Sequence, residues 1–175
     1  MLFTETEVAG AYAIGLEKRE DDRGFFARSW CRREFEAHGL DSALVQCNVS
    51  YNRLRGTLRG LHYQDPRPEA KLVRCTRGSI FDVVLDLRPG SASYLRHAAL
   101  TLSAGNHLAL FIPAGCAHGF LTLEDDTEIF YQMNEYFEPG GAQGVRYNDP
   151  AFGIRWPGDA LIISDRDRTY PDFRV

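Results

Sequence analysis

Glycine and proline recur at short, even intervals along the 175-residue chain: Gly24, Gly39, Gly56, Gly78, Pro89-Gly90, Ala104-Gly105, Pro113-Ala114-Gly115, Pro139-Gly140-Gly141 and Pro157-Gly158. Such residues punctuate regular structure, so the segments between them are too short for long helices. Those segments carry β-branched and aromatic residues in period-two alternation, at residues 44–51, 57–63, 71–76, 80–87, 97–102, 107–112, 119–123 and 128–137. Eight strands at this spacing predict an all-β sandwich, jelly roll or barrel. One short helix is expected near the N-terminus over residues 31–38, with Phe35 on its apolar face, Ser29 as a candidate cap and Gly39 as its stop.

A chain of this length buries roughly 70% of its unfolded surface, so one domain over residues 1–175 can hold a core without disulfides or structural metal. Its apolar runs fall far short of the ~20 residues that cross a bilayer as a helix. Twenty Lys and Arg against 24 Asp and Glu, with no long run of either sign, argue against a nucleic-acid partner and leave room only for local anion sites. The opening MLFTETEVAG lacks a basic stretch followed by an apolar one, and a cytoplasmic location is the expectation. Cys31, Cys47, Cys75 and Cys116 form no Cys-x-x-Cys pair and are expected as free thiols.

Strand alternation assigns side chains to faces. In residues 46–51, Gln46, Asn48 and Ser50 point one way and Cys47, Val49 and Tyr51 the other. The polar face is either a solvated exterior or the wet lining of a barrel mouth. In residues 128–137, Ile129, Tyr131, Met133, Glu135 and Phe137 share a face, so the Tyr131 hydroxyl needs a partner among apolar neighbours. Arg59 and His62, three apart, are expected on opposite faces near a strand end.

Pro113-Ala114-Gly115-Cys116-Ala117-His118 resembles half of the metal-binding pattern of cupin jelly rolls, but the matching His-x-His is absent: the chain has His62-Tyr63-Gln64. With His38, His97 and His107 dispersed, no three-imidazole site is evident. What remains is His62, Lys71, Tyr131, Asp165 and Asp167, a set suited to proton abstraction beside a carbonyl. Histidine can act as base, a cation can stabilise the enolate, tyrosine can return a proton and a carboxylate can fix the imidazole tautomer.

Ordered stretches of the chain carry a resemblance: Asp22-Arg23-Gly24-Phe25-Phe26, Gln46-Cys47-Asn48-Val49-Ser50, Arg59-Gly60-Leu61-His62-Tyr63-Gln64, Lys71-Leu72-Val73-Arg74-Cys75 and Phe81-Asp82-Val83-Val84-Leu85-Asp86-Leu87-Arg88. They continue with Ala117-His118-Gly119-Phe120, Tyr131, Asn148-Asp149-Pro150, Ile154-Arg155-Trp156-Pro157 and Ser164-Asp165-Arg166-Asp167. Together they resemble the dTDP-4-dehydrorhamnose 3,5-epimerases and their nucleotide-sugar relatives. The resemblance implies a cupin-like jelly-roll β-barrel, a homodimer that exchanges N-terminal strands, no metal or organic cofactor, and a nucleoside diphosphate 4-keto-6-deoxyhexose as substrate. It further implies His62 as general base paired with Asp167, Tyr131 as proton donor at C5, and Lys71 on the enolate oxygen. Arg23 and Arg59 would hold the diphosphate, Gln46, Asn48 and His118 would line the pocket, Tyr136 would frame the nucleobase, and Phe26 and Arg166 would join the substrate-binding set.

The chain departs from the family pattern at Arg28 and near Ala142, where relatives have Glu, and at Cys116, where Phe is common. Competing expectations are a single-centre epimerase or one acting on another nucleotide sugar, a cupin metalloenzyme, and a non-catalytic sugar-binding barrel.

Overall fold

The computed structural model describes residues 1–174. Strands β1 (Leu2–Glu5) and β2 (Tyr12–Gly15) precede a small hairpin of β3 (Arg19–Asp21) and β4 (Gly24–Phe26), then helix α1 (Arg32–Ala37). The body follows as β5 (Gln46–Asn52), β6 (Thr57–Gln64), β7 (Lys71–Arg77), β8 (Ser79–Asp86), β9 (His97–Ser103), β10 (Ala109–Ile112), β11 (Cys116–Thr122) and β12 (Thr127–Met133). Short strands β13 (Ala142–Gly144) and β14 (Ile162–Ile163) and a second helix α2 (Asp165–Arg168) complete the chain.

The strands form two main sheets, ordered β1-β2-β10-β7-β12-β5 and β13-β6-β11-β8-β9, with β14 added in parallel to β6. Their alternation builds three apolar layers. Val73 and Cys75 of β7, Ile80 and Val84 of β8, Leu110 and Ile112 of β10, and Ile129 of β12 meet between the sheets. Leu72 and Phe111 instead face outward, where Phe35 of α1 covers them. Leu61, Val83, Leu85 and Ala117 form the outer layer of the second sheet against Val145 and Phe152. The architecture is the all-β, cupin-like jelly roll the sequence predicts.

Several details differ from the sequence expectation. The N-cap of α1 is Cys31, without a side-chain cap, whereas the Ser29 carbonyl accepts from Arg74 at 2.9 Å. The strand expected over 128–137 ends at Met133, because the Asn134 side chain and backbone clamp the Ala70 backbone at 2.6 and 3.2 Å. Glu135 and Phe137 therefore lie beyond the strand, although Phe137 still lines the same cavity as Tyr131. Among the described residues there are two helices: α2 is a single turn, too short for periodicity to reveal, capped by Ser164 Oγ accepting the Asp167 amide at 3.1 Å.

The largest correction concerns β6. Across its pairing with β11, Arg59 faces Phe120 and His62 faces His118, so Gly60 and Leu61 together oppose the single residue Gly119. This β-bulge resets the alternation and turns Arg59 and His62 to the same face, while Leu61 points into the outer apolar layer. Only glycine fits there: Gly60 has φ +126°, and a Cβ on it would lie 2.5 Å from the Gly119 Cα.

Candidate active site

Beside the inner apolar layer, the inner faces of β5, β6, β7, β11 and β12 enclose a cavity of about 470 Å³. Gln46, Asn48 and Ser50 line it from β5, so the polar face of that strand is an interior wet wall, while Val49 and Tyr51 are exposed outside. This size suits a small polar ligand in a concave site.

His62 sits at the wall with its Nε2 2.6 Å from Asp167 Oδ1. The carboxylate is 4% exposed; its second oxygen accepts the Gly60 amide at 3.1 Å. Burial pushes the Asp167 carboxyl up, but the His62, Gly60 and Ser164 hydrogen bonds outweigh it and the net direction is down, so it stays ionised. An ionised carboxylate only accepts, which puts the proton on Nε2 and leaves Nδ1 as the basic nitrogen. Asp165, the other acidic candidate, is exposed on the far side of α2.

Facing His62 from β11, His118 makes a matching contact, Nε2 to Asp82 Oδ1 at 2.7 Å, with Asp82 fully buried. Lys71 lies at the start of β7, buried and paired with Glu69. Tyr131 packs against the inner apolar layer and lines the cavity. Burial pushes its phenol up, Arg59 pulls it back and Glu69 adds to the rise; the net rise keeps the hydroxyl a proton donor. Arg59 is aimed by Asn52, whose Oδ1 accepts its Nε at 2.8 Å, leaving the fork of terminal nitrogens to meet an anion. Arg166 borders the cavity from α2, donating to the Ala142 carbonyl at 2.6 Å and the Tyr170 hydroxyl at 2.7 Å.

The structure thus brings together His62, Asp167, Tyr131, Lys71, Gln46, Asn48, Arg59, His118 and Arg166. It leaves Arg23, Phe26 and Tyr136 outside the cavity. Arg23 is solvent-exposed and bound to Asp21 at 2.6 Å; Phe26 is 74% exposed on the same hairpin, and Tyr136 is exposed beyond the end of β12. Arg28 pairs with Glu34 at 2.8 Å, away from the cavity. Sequence reasoning missed Asn52, Glu69 and Asp82. Asn52 on β5 and Asp82 on β8 lie one alternation step from an inner-face residue of their own strands, and Glu69 lies two residues before Lys71, just ahead of β7, so carrying the alternation one step further points to all three.

Among the described residues, no three His, Cys, Asp or Glu side chains converge as a metal-binding group. Of the three histidines outside the cavity, His38 stacks on Phe3 and His107 packs against Phe25, while His97 lies at the start of β9.

The family model of dTDP-4-dehydrorhamnose 3,5-epimerase matches residues 5–174. A curated relative of that name from Methanothermobacter thermautotrophicus is 42% identical over 175 residues, covering 98% of this chain and 94% of its own. The crystal structure of a dTDP-4-dehydrorhamnose 3,5-epimerase from Bacillus anthracis, with TDP and PPi bound, superimposes with a TM-score of 0.93 at 39% identity, covering 98% of this chain and 99% of that one. The corresponding Legionella pneumophila enzyme, in complex with dTDP-4-keto-L-rhamnose, has a TM-score of 0.88 at 33% identity, over 95% and 89% of the two chains. On these grounds the chain belongs to the dTDP-4-dehydrorhamnose 3,5-epimerase family.

Proposed function

We propose that the chain inverts C3 and C5 of dTDP-4-dehydro-6-deoxy-D-glucose to give dTDP-4-dehydro-L-rhamnose. The observation that carries this reading is the convergence of the His62–Asp167 pair, Lys71 and Tyr131 on one cavity. The C4 ketone acidifies the protons on both neighbouring carbons. His62 Nδ1 takes a proton from the carbon, and Asp167 stabilises the resulting imidazolium. The electron pair moves to the C4 oxygen, where the Lys71 ammonium meets the developing charge. Return of a proton to the opposite face, from the Tyr131 hydroxyl at C5 and from solvent water at C3, completes each inversion, and exchange with solvent returns His62 and Tyr131 to their starting states. Arg59 and Arg166 supply charge for the diphosphate, and Gln46, Asn48 and His118 hydrogen-bond the sugar and nucleotide.

This route uses side chains alone. Full activity is expected after exhaustive chelation, and activity lost on chelation but restored by metal would reject it. We also infer that two chains exchange N-terminal strands, so that Arg23 and Phe26 of one reach the other's cavity. The exposure of Phe25 and Phe26 on a two-stranded hairpin supports this, and light scattering on the eluting protein tests it.

The decisive experiment is incubation with dTDP-4-keto-6-deoxy-D-glucose in D2O, following deuterium at each carbon by NMR. Entry at both C3 and C5, with reduction to the L-rhamno product by a partner reductase, is expected. Entry at one carbon would make it a single-centre epimerase; entry at neither would point to another substrate.

A further inference from the structure

Three nitrogen-bearing side chains face the cavity, each backed by a carboxylate: His62 by Asp167, His118 by Asp82 and Lys71 by Glu69. Glu69 differs from Asp167 in how its oxygens are used. Asp167 has both occupied, by His62 and by the Gly60 amide. Glu69 gives Oε1 to Lys71, while Oε2 is buried with no hydrogen-bond partner among the described residues. The residue is 6% exposed and lines the cavity. A buried carboxylate oxygen without a donor is costly, so a ligand that donates to it is bound more tightly for doing so. The terminal torsion of glutamate is soft and the lysine stem is flexible, so as the carboxylate turns Oε2 toward the cavity the Lys71 ammonium can follow Oε1.

Lys71 and Glu69 therefore present an adjacent donor and acceptor. An α-hydroxyketone presents the complement: a carbonyl oxygen that accepts, beside a hydroxyl that donates. Resting on the epimerase reading, we propose that Glu69 is a specificity-determining residue that accepts the hydroxyl next to the ketone, at C3, while Lys71 holds the C4 oxygen.

The consequence is selective. Removing the C3 proton gives a C3–C4 enediolate, whose two oxygens lie in one plane and meet the Lys71–Glu69 pair together. Removing the C5 proton gives a C4–C5 enolate, whose reacting carbon carries the ring oxygen and no hydroxyl. Glu69 thus strengthens its contact during the C3 step and not during the C5 step, which is the condition for accelerating one and not the other.

The test is deuterium entry at each carbon in Glu69→Gln, which keeps one oxygen for Lys71 and loses the other acceptor. C3 exchange is expected to fall at least tenfold more than C5 exchange, with Glu69→Asp recovering part of the C3 rate. Equal losses at both carbons, or none, would overturn the assignment. Should the glutamine variant fail to fold, competitive inhibition of the unaltered enzyme decides. A 3-deoxy analogue of the keto sugar nucleotide is expected to bind at least tenfold more weakly than the 3-hydroxy compound, and equal binding overturns the proposal. Exchange at neither carbon in the unaltered protein is a different result, since it removes the epimerase reading itself.

Discussion

His62 and His118 are register partners across β6 and β11, and each imidazole is held through Nε2 by a buried carboxylate from a separate element, Asp167 of α2 and Asp82 of β8. Directly paired residues of neighbouring strands keep their Cβ atoms about 4.5–5.5 Å apart, so both rings address the same small volume. Their roles separate by substitution. His62→Ala is expected to abolish exchange at both carbons, a loss of about 10²–10⁴-fold or more in kcat. His118→Ala is expected to act mainly by raising KM. Full activity without His62 would sink the base assignment.

Tyr131 stands on β12, and His62 on β6 in the other sheet, so base and donor approach a bound sugar from different walls. Tyr131→Phe removes the hydroxyl and little else. It is expected to slow deuterium entry at C5 by at least tenfold more than at C3. Equal loss at both carbons, read by NMR, would contradict a donor confined to one face.

Acid stability is set largely by a carboxylate outside the cavity. Asp86 is fully buried and receives Arg88 Nη2 at 2.8 Å, Ser91 Oγ at 2.5 Å and Ser93 Oγ at 2.6 Å. Burial pushes its carboxyl up, but these donors outweigh burial and hold it far below the usual carboxylate range. Its ionised form is thus favoured by folding. That stabilisation is present above the unfolded value of about 3.9 and is lost as pH falls toward the folded one. Asp86→Asn is expected to cost about 3–5 kcal/mol at neutral pH. It should also flatten the fall of unfolding free energy between pH 4 and 2, as measured by urea titration. An unchanged acid limb would refute the assignment.

The thiols divide by position. Burial pushes Cys75 up to about 11 and Cys116 up to about 12, whereas Cys47 is exposed on the outer face of β5. Because the thiolate is the reactive form, alkylation of the native protein near neutral pH is expected at Cys47 before either buried thiol. Peptide mass mapping reads the order, and early labelling of Cys116 would count against the buried assignment.

Much of this was legible in the sequence because alternation records which face a strand residue takes. Gln46, Asn48 and Ser50 declared a polar wall, and every one of the eight expected strands overlaps an observed one. The strands that escaped notice, β1 to β4, β13 and β14, are two to four residues long, too short for a period to repeat. The relation of Arg59 to His62 was misread for a different reason. Alternation assumes one residue per step, and the Gly60–Leu61 bulge opposite Gly119 adds a step that side-chain chemistry does not announce. The Asp167 partnership lay beyond periodicity altogether, since α2 supplies one turn and its reach to β6 is a tertiary fact.

The two members of the His62–Asp167 pair are 105 residues apart in the chain. Strands β1 to β14 are all synthesised before the ribosome adds Asp167. On the proposed mechanism, a nascent or prematurely released chain can hold sugar-facing walls but cannot turn substrate over. Catalytic competence is the last property such a chain acquires, and it arrives with a single turn of helix.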